Sequence, residues 1–141
     1  MKTLQESIIG RKGVPAKFTK DMLRSGYIVR LRKVSPWGME FMMYFRYNDI
    51  TKIRDSVAIS ISHIVNYSSL NGKEGVFITR NEYSNKPSWM PVLEYSKNLD
   101  CPVDHDFDII EVYPIKAKPD FLTNNQLKNL VKDFDPIKIN Q

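Results

Sequence analysis

Two neighbouring stretches alternate in hydropathy. In GYIVRLRKV (26–34), Tyr27, Val29 and Leu31 fall on one side of an extended chain and Ile28, Arg30 and Arg32 on the other. In MEFMMYFRY (39–47), Met39, Phe41, Met43, Phe45 and Tyr47 share a side, opposite Glu40, Met42, Tyr44 and Arg46. The SPWG between them, with Pro36 and Gly38, is a turn, so the pair predicts a β-hairpin. If only one face is buried, Val29 opposes Phe45 and Leu31 opposes Met43 across an odd-membered connection. That register sets Arg30 beside Tyr44 and Arg32 beside Met42 on an outer face. A four-residue loop would expose half the apolar set.

Further strands follow from the same periodicity. SVAISISHIVNYSS (56–69) alternates Val57, Ile59, Ile61 and His63, although 57, 61, 64, 65 and 68 also fit a helical stripe; its β-branched residues favour a strand. Asn71-Gly72 marks a turn before GVFIT (75–79). WMPVLEY (89–95) reads as an edge strand because Pro91 cannot donate to a ladder. FDIIEVY (107–113) reads as a final strand, with Ile110 and Val112 on one face and Phe107, Ile109 and Tyr113 on the other.

Helices are short and lie toward the ends. FTKDMLRSG (18–26) has Thr19 to cap, Asp21 at the positive end and Gly26 to stop, which allows a turn or two. TNNQLKNLVKDF (123–134) predicts an amphipathic helix: Thr123 and Gln126 form a capping box, Leu127, Leu130, Val131 and Phe134 make a stripe, and Pro136 closes it. The pattern predicts a mainly β (α+β) fold, a compact barrel or sandwich of five or six strands with a short N-terminal helix and a C-terminal amphipathic helix; the SH3-like form of that barrel is what the resemblance given below implies. Its organisation is an N-terminal arm over 1–17, a β-barrel domain over 18–116, and a linker and C-terminal helix over 117–141 packed on that domain.

Two stretches resemble small, mostly uncharacterised tailed-bacteriophage proteins with an SH3-like barrel. TKDMLRSGYIVRLR carries Gly26, Val29 and Arg32 in a G-x-x-V-x-x-R opening strand. LEYSKNLDCPVDHDFDIIEVY is similar to their closing strand through Leu93, Leu99, Asp106, Asp108, Ile109, Val112 and Tyr113, with Tyr95 offset by one. The chain departs from them in its arm, its longer middle and its C-terminal helix. The resemblance implies a phage protein acting inside a bacterial cell, and it transfers no catalytic residue.

Composition changes the picture little; charge changes it more. With 141 residues, 42% of them hydrophobic and 26% charged, the chain suits one domain without staples. No apolar run reaches the ~18 residues of a membrane span, the start MKTLQESIIGRKG has no apolar h-region, and Cys101 is the single cysteine. The expected setting is cytoplasmic, without disulfide or membrane. Net charge is +5, yet residues 1–33 hold nine basic residues against Glu6 and Asp21, while Asp100, Asp104, Asp106, Asp108 and Glu111 crowd 100–111. Such asymmetry bears on partners rather than on fold.

Chemistry comes last. Arg30, Arg32 and Arg46, with Tyr44, Trp37 and Trp89, form a candidate face to hold a phosphate and stack a base. The competing reading is a solvated β-face whose aromatics cover arginine stems. Asp104, Asp106 and Asp108 are oxygen donors, but the run has no glycine where a calcium loop needs one, and aspartates satisfying turn backbone is the favoured reading. His63 and His105 lack the setting of a two-histidine phosphoesterase, and no nucleotide-loop or nucleophile-elbow motif occurs. These features predict a non-enzymatic binding protein, without metal or cofactor, for a phosphate-bearing ligand: a nucleic acid, or a nucleotide signal sequestered as anti-defence proteins do. The alternative is a structural or interaction protein, a virion component or an inhibitor of a host protein, with a homo-oligomer open in either case.

Overall fold

A computed structural model describes residues 17–36, 38–46, 49, 75–84, 86–116 and 122–140. Six antiparallel strands form one open sheet: β1 (Ile28–Leu31), β2 (Phe41–Arg46), β3 (Gly75–Arg80), β4 (Pro87–Pro91), β5 (Ile109–Tyr113) and β6 (Ile137–Lys138), in the order β4-β3-β2-β1-β5-β6. One helix, α1 (Asn124–Val131), and 3-10 turns at Lys20–Met22, Val92–Glu94 and His105–Phe107 complete the described elements. Among the described residues the fold is therefore mainly β with few helical residues, and the sheet is open. The arm over 1–16 and the expected strand over 56–69 lie outside the described residues.

The hairpin register differs from the expected one. Ile28 pairs with Met43, Val29 with Met42 and Arg30 with Phe41. The alternation within each strand holds, but the faces are joined the other way. Val29, Leu31, Met42, Tyr44, Phe77 and Val112 lie in one apolar cluster, with Phe18, Leu23, Val92, Tyr95 and Leu99 over them. Ile28, Phe41, Met43, Phe45, Val76 and Ile78 lie in a second, covered by Leu127 and Val131 of α1. The expected register rested on one wet face. Here both faces are dry, so the burial argument against the even register loses its force. Arg30 consequently stands opposite Phe41, not Tyr44.

Local chemistry explains how the layers are fastened. Gly26, at φ 98°, ends the first turn and its N–H donates to the Tyr44 carbonyl at 2.9 Å. At the start of α1 the capping box forms as expected, Thr123 accepting from the Gln126 N–H while Gln126 accepts from the Thr123 N–H. The adjacent Asn124 reaches into the sheet: its Oδ1 accepts from the Glu40 and Phe41 N–H groups at 2.8 and 2.7 Å. Leu127 and Val131 are buried, each worth roughly 1.5–3 kcal/mol in transfer from water. Leu130 and Phe134 of the expected stripe are instead exposed; the helix ends at Val131, so Phe134 lies beyond it.

Sequence periodicity passes over β6. After Pro136, Ile137 pairs with Val112 and Lys138 with Glu111, which makes β5 an interior strand. Asn140, at φ 55°, closes this end: its Nδ2 donates to the Asn98 and Ile109 carbonyls. At the opposite edge, β4 spans Pro87–Pro91, two residues ahead of the predicted edge strand, and Val92–Glu94 turns away as a 3-10 segment.

Candidate functional site

Arg30, Arg32 and Lys33 of the hairpin are engaged within the chain. Arg30 Nε lies 2.9 Å from Glu40 Oε2, and its Nη1 lies 3.1 Å from Glu111 Oε1. Its guanidinium also stands 5.9 Å from the Phe41 ring centroid. Burial works against its charge, but hydrogen bonds from Glu111 and Glu40 more than offset this and raise its pKa. Tyr113 donates to the same Glu111 oxygen at 2.9 Å, and burial, then that bond, pushes its phenol up. The group is a compact ion-pair network between β1, β2 and β5.

Arg32 serves a second hub. Its Nη2 is 2.7 Å from the Asn140 carbonyl and 3.4 Å from Asp108 Oδ2. Asp108 is 3% exposed; its Oδ1 accepts from the Cys101 N–H at 2.7 Å, and its Oδ2 lies 3.1 Å from His105 Nδ1. Asp104 accepts from the Asp106 N–H at 2.8 Å, capping the 3-10 turn, and Asp106 pairs with Lys33 at 3.4 Å. These aspartates thus hold turns together, the use expected of them in loops. Tyr95 donates to the Phe107 carbonyl beside this hub at 2.9 Å; burial, then Cys101 and Asp108, push its phenol up. Among the described residues no group of three or more His, Cys, Asp or Glu side chains is placed to hold a metal ion.

The remaining predicted site residues do not converge on the arginines. Tyr44 is 2% exposed, inside the first cluster and against Phe77, so it is a core residue rather than a ligand contact. It faces inward because both sheet faces are covered. Arg46 closes β2, its backbone N–H bound to Ser25 Oγ at 2.8 Å, and its Nε is buried without a hydrogen-bond partner. Trp37 lies outside the described residues. Trp89 lies in β4, partly buried against the second cluster and separated from β1 by β3 and β2. The anticipated face of arginines and aromatics is therefore corrected: Arg30 and Arg32 are ion-paired at β1, Tyr44 is internal, and Trp89 belongs to another part of the sheet.

Trp89 has its own surroundings. An open cleft of about 450 Å³ runs along the β3–β4 hairpin, lined by Met39, Asn81, Ser84, Lys86, Ser88 and Trp89 among others. The Asn81 side-chain oxygen accepts from the Tyr83 and Ser84 N–H groups, which shapes the turn and leaves its amide nitrogen as a donor. The nearby Glu82 carboxylate is turned to α1, where it accepts from the backbone and side-chain amides of Asn125. Among the described residues, no carboxylate lines the cleft.

The phase of pairing also shapes this edge. Asn81 N–H donates to the Lys86 carbonyl and Arg80 N–H to the Leu122 carbonyl, which fixes the alternation along β3. By that alternation Pro87, Trp89 and Pro91 direct their backbone groups away from β3. The prolines have no N–H, so the Trp89 amide is the outward donor of the strand. This edge is poorly suited to pairing with another strand.

No protein-family model, no curated protein and no solved structure matches this chain. Among the described residues, no helix is long and apolar enough to cross a membrane.

Proposed function

We propose that the protein is a non-enzymatic binding protein for a phosphate-bearing ligand, with its contact surface at the Trp89 cleft rather than at the β1 arginines. The observation that carries this reading is the composition of the cleft. It brings a tryptophan, a lysine and several neutral donors together, with no carboxylate among the described lining residues. An aromatic surface beside a cation suits a ligand with both a ring and a negative charge. The resemblance to phage proteins adds the setting: a protein made during infection that holds a nucleic acid or withdraws a nucleotide signal in the host cytoplasm.

Thermal unfolding with a panel of phosphate-bearing compounds tests this. The panel spans mononucleotides, cyclic dinucleotides, sugar phosphates and single-stranded oligonucleotides. At least one class raises the melting temperature by an amount that grows with the logarithm of ligand excess, and Trp89→Ala removes the shift. Absence of any shift across the panel, with the protein folded, overturns the reading.

A second reading, a structural or interaction protein, draws support from Arg30 and Arg32. Both are held by carboxylates of their own chain, so β1 offers no free cationic face to a polyanion. It predicts an inert nucleotide panel together with a discrete high-order assembly in native mass spectrometry.

A further inference from the structure

We infer that the Trp89 cleft takes one compact ring-bearing phosphomonoester, of mononucleotide chemistry, rather than a strand of nucleic acid; this rests on the phosphate-ligand reading above. Three features carry it. The first is size: about 450 Å³ lies near the small end of the roughly 300–1,000 Å³ of small-ligand sites. The second is the charge around the cleft. A strand needs a run of cations tracking its backbone. Here Lys86 is the one cation among the described lining residues.

The third feature is the placing of donors. Lys86 and Ser88 alternate with Pro87 and Trp89 along an edge whose outward amide is that of Trp89. One phosphate met by Lys86, with a ring against Trp89, uses both kinds of surface at once. A free phosphate ion would use only the first, and an unphosphorylated nucleoside only the second.

Isothermal titration of the full chain tests the inference with four probes: a ribonucleoside monophosphate set, the matching nucleosides, inorganic phosphate, and a ten-nucleotide single-stranded DNA. A monophosphate is expected to bind at least about tenfold tighter than its nucleoside or inorganic phosphate, the order of effect lost with one aromatic stack or one charge-assisted contact. The salt slope should be near −1, as for release of about one counterion. Lys86→Gln, at an exposed position, should weaken the monophosphate about fivefold or more without touching the core. Trp89→Phe should retain most of the affinity and Trp89→Ala lose it. If Trp89→Ala does not fold, Lys86→Gln and the salt slope still decide.

The outcomes separate cleanly. Binding of the oligonucleotide with none of the monophosphate, lost in Lys86→Gln, overturns the single-nucleotide inference and leaves the phosphate reading standing. Equal binding of inorganic phosphate and monophosphate overturns the stacking component and with it the inference. No binding by any probe overturns the inference, and an inert wider panel as well overturns the phosphate reading.

Discussion

At the scale of single residues, the decisive fact is where each guanidinium spends its charge. Arg30 bridges Glu40 and Glu111, and Glu111 is only 7% exposed. Truncating Arg30 leaves that carboxylate in a dry place without its cation. Arg30→Ala should therefore lower unfolding stability by about 1–3 kcal/mol, less than for a wholly buried pair because the guanidinium itself is partly wet. Chemical denaturation checks it; an unchanged midpoint would show that the network contributes nothing. The charge reversals Arg30→Glu and Arg32→Glu are for the same reason poor probes of ligand binding. They place like charges against Glu111 and Asp108 and disturb the fold first.

Asn124 and the tyrosines carry two more predictions at this scale. Asn124→Ala deprives the Glu40 and Phe41 N–H groups of their acceptor, one of them at a buried strand position. A cost of about 2–4 kcal/mol follows from leaving such donors unmet, read from the same denaturation curve. Tyr95 and Tyr113 have phenols pushed above the ordinary 10.0, chiefly by burial. Their contribution is fully present below pH 10 and is lost as pH rises through the folded-state values, since the unfolded chain ionises first. Stability should be flat up to about pH 10 and then fall, in step with the tyrosinate absorbance; a protein equally stable well above that pH would contradict it.

At the scale of elements, the sequence shows which segments are extended but not how they are joined. The strands at 28–31, 41–46 and 75–80 fall where the sequence places them. So does the capped helix, since Thr123 and Gln126 satisfy each other locally. The strand at 109–113 is shorter than expected, and an irregularity in its pairing with β1 puts Ile109 in the same cluster as Val112, not opposite it. The register was not legible. Alternation identifies two faces of a strand, but a tertiary fact decides whether both are covered: α1 arrives from residue 124 to cover the second. The partners of Arg30 were hidden for a similar reason, one being 81 positions away. Two-residue β6 offers no periodicity to detect, and Asn124 carries no signal separating a helix-start asparagine from one that reaches a strand.

Gly75 tests the pairing directly. A Cβ built there would stand 2.0 Å from the Phe45 carbonyl oxygen, a backbone atom that cannot swing aside. Gly75→Ala must push β2 and β3 apart where Arg46 pairs with Gly75. The expected result is a loss of about 1–3 kcal/mol with faster amide exchange along both strands. Tolerance of alanine would mean that the strands do not approach as described.

At the scale of the molecule, two apolar clusters on opposite faces of one sheet make a layered body with α1 on one side and the 3-10 turns on the other. Its charges are largely answered within it along β1 and β5, and the contact surface we propose lies instead at the β3–β4 hairpin. Sequence charge asymmetry points toward residues 1–33, but within the described part of that stretch Arg30, Arg32 and Lys33 are ion-paired. Composition counts charges without showing which of them face each other. Trp89 was identifiable as a candidate from its neighbours Pro87 and Pro91; its separation from the arginines was not, because strand order is a property of the whole sheet.

The measurement that bears most directly on this account is a two-dimensional NMR titration of the labelled protein with a ribonucleoside monophosphate. Amides of Ser84, Lys86 and Ser88 and the amide and indole N–H of Trp89 should move together, while the Nε–H signals of Arg30 and Arg32 stay in place. Shifts concentrated on Arg30 and Arg32, with the hairpin silent, would contradict it.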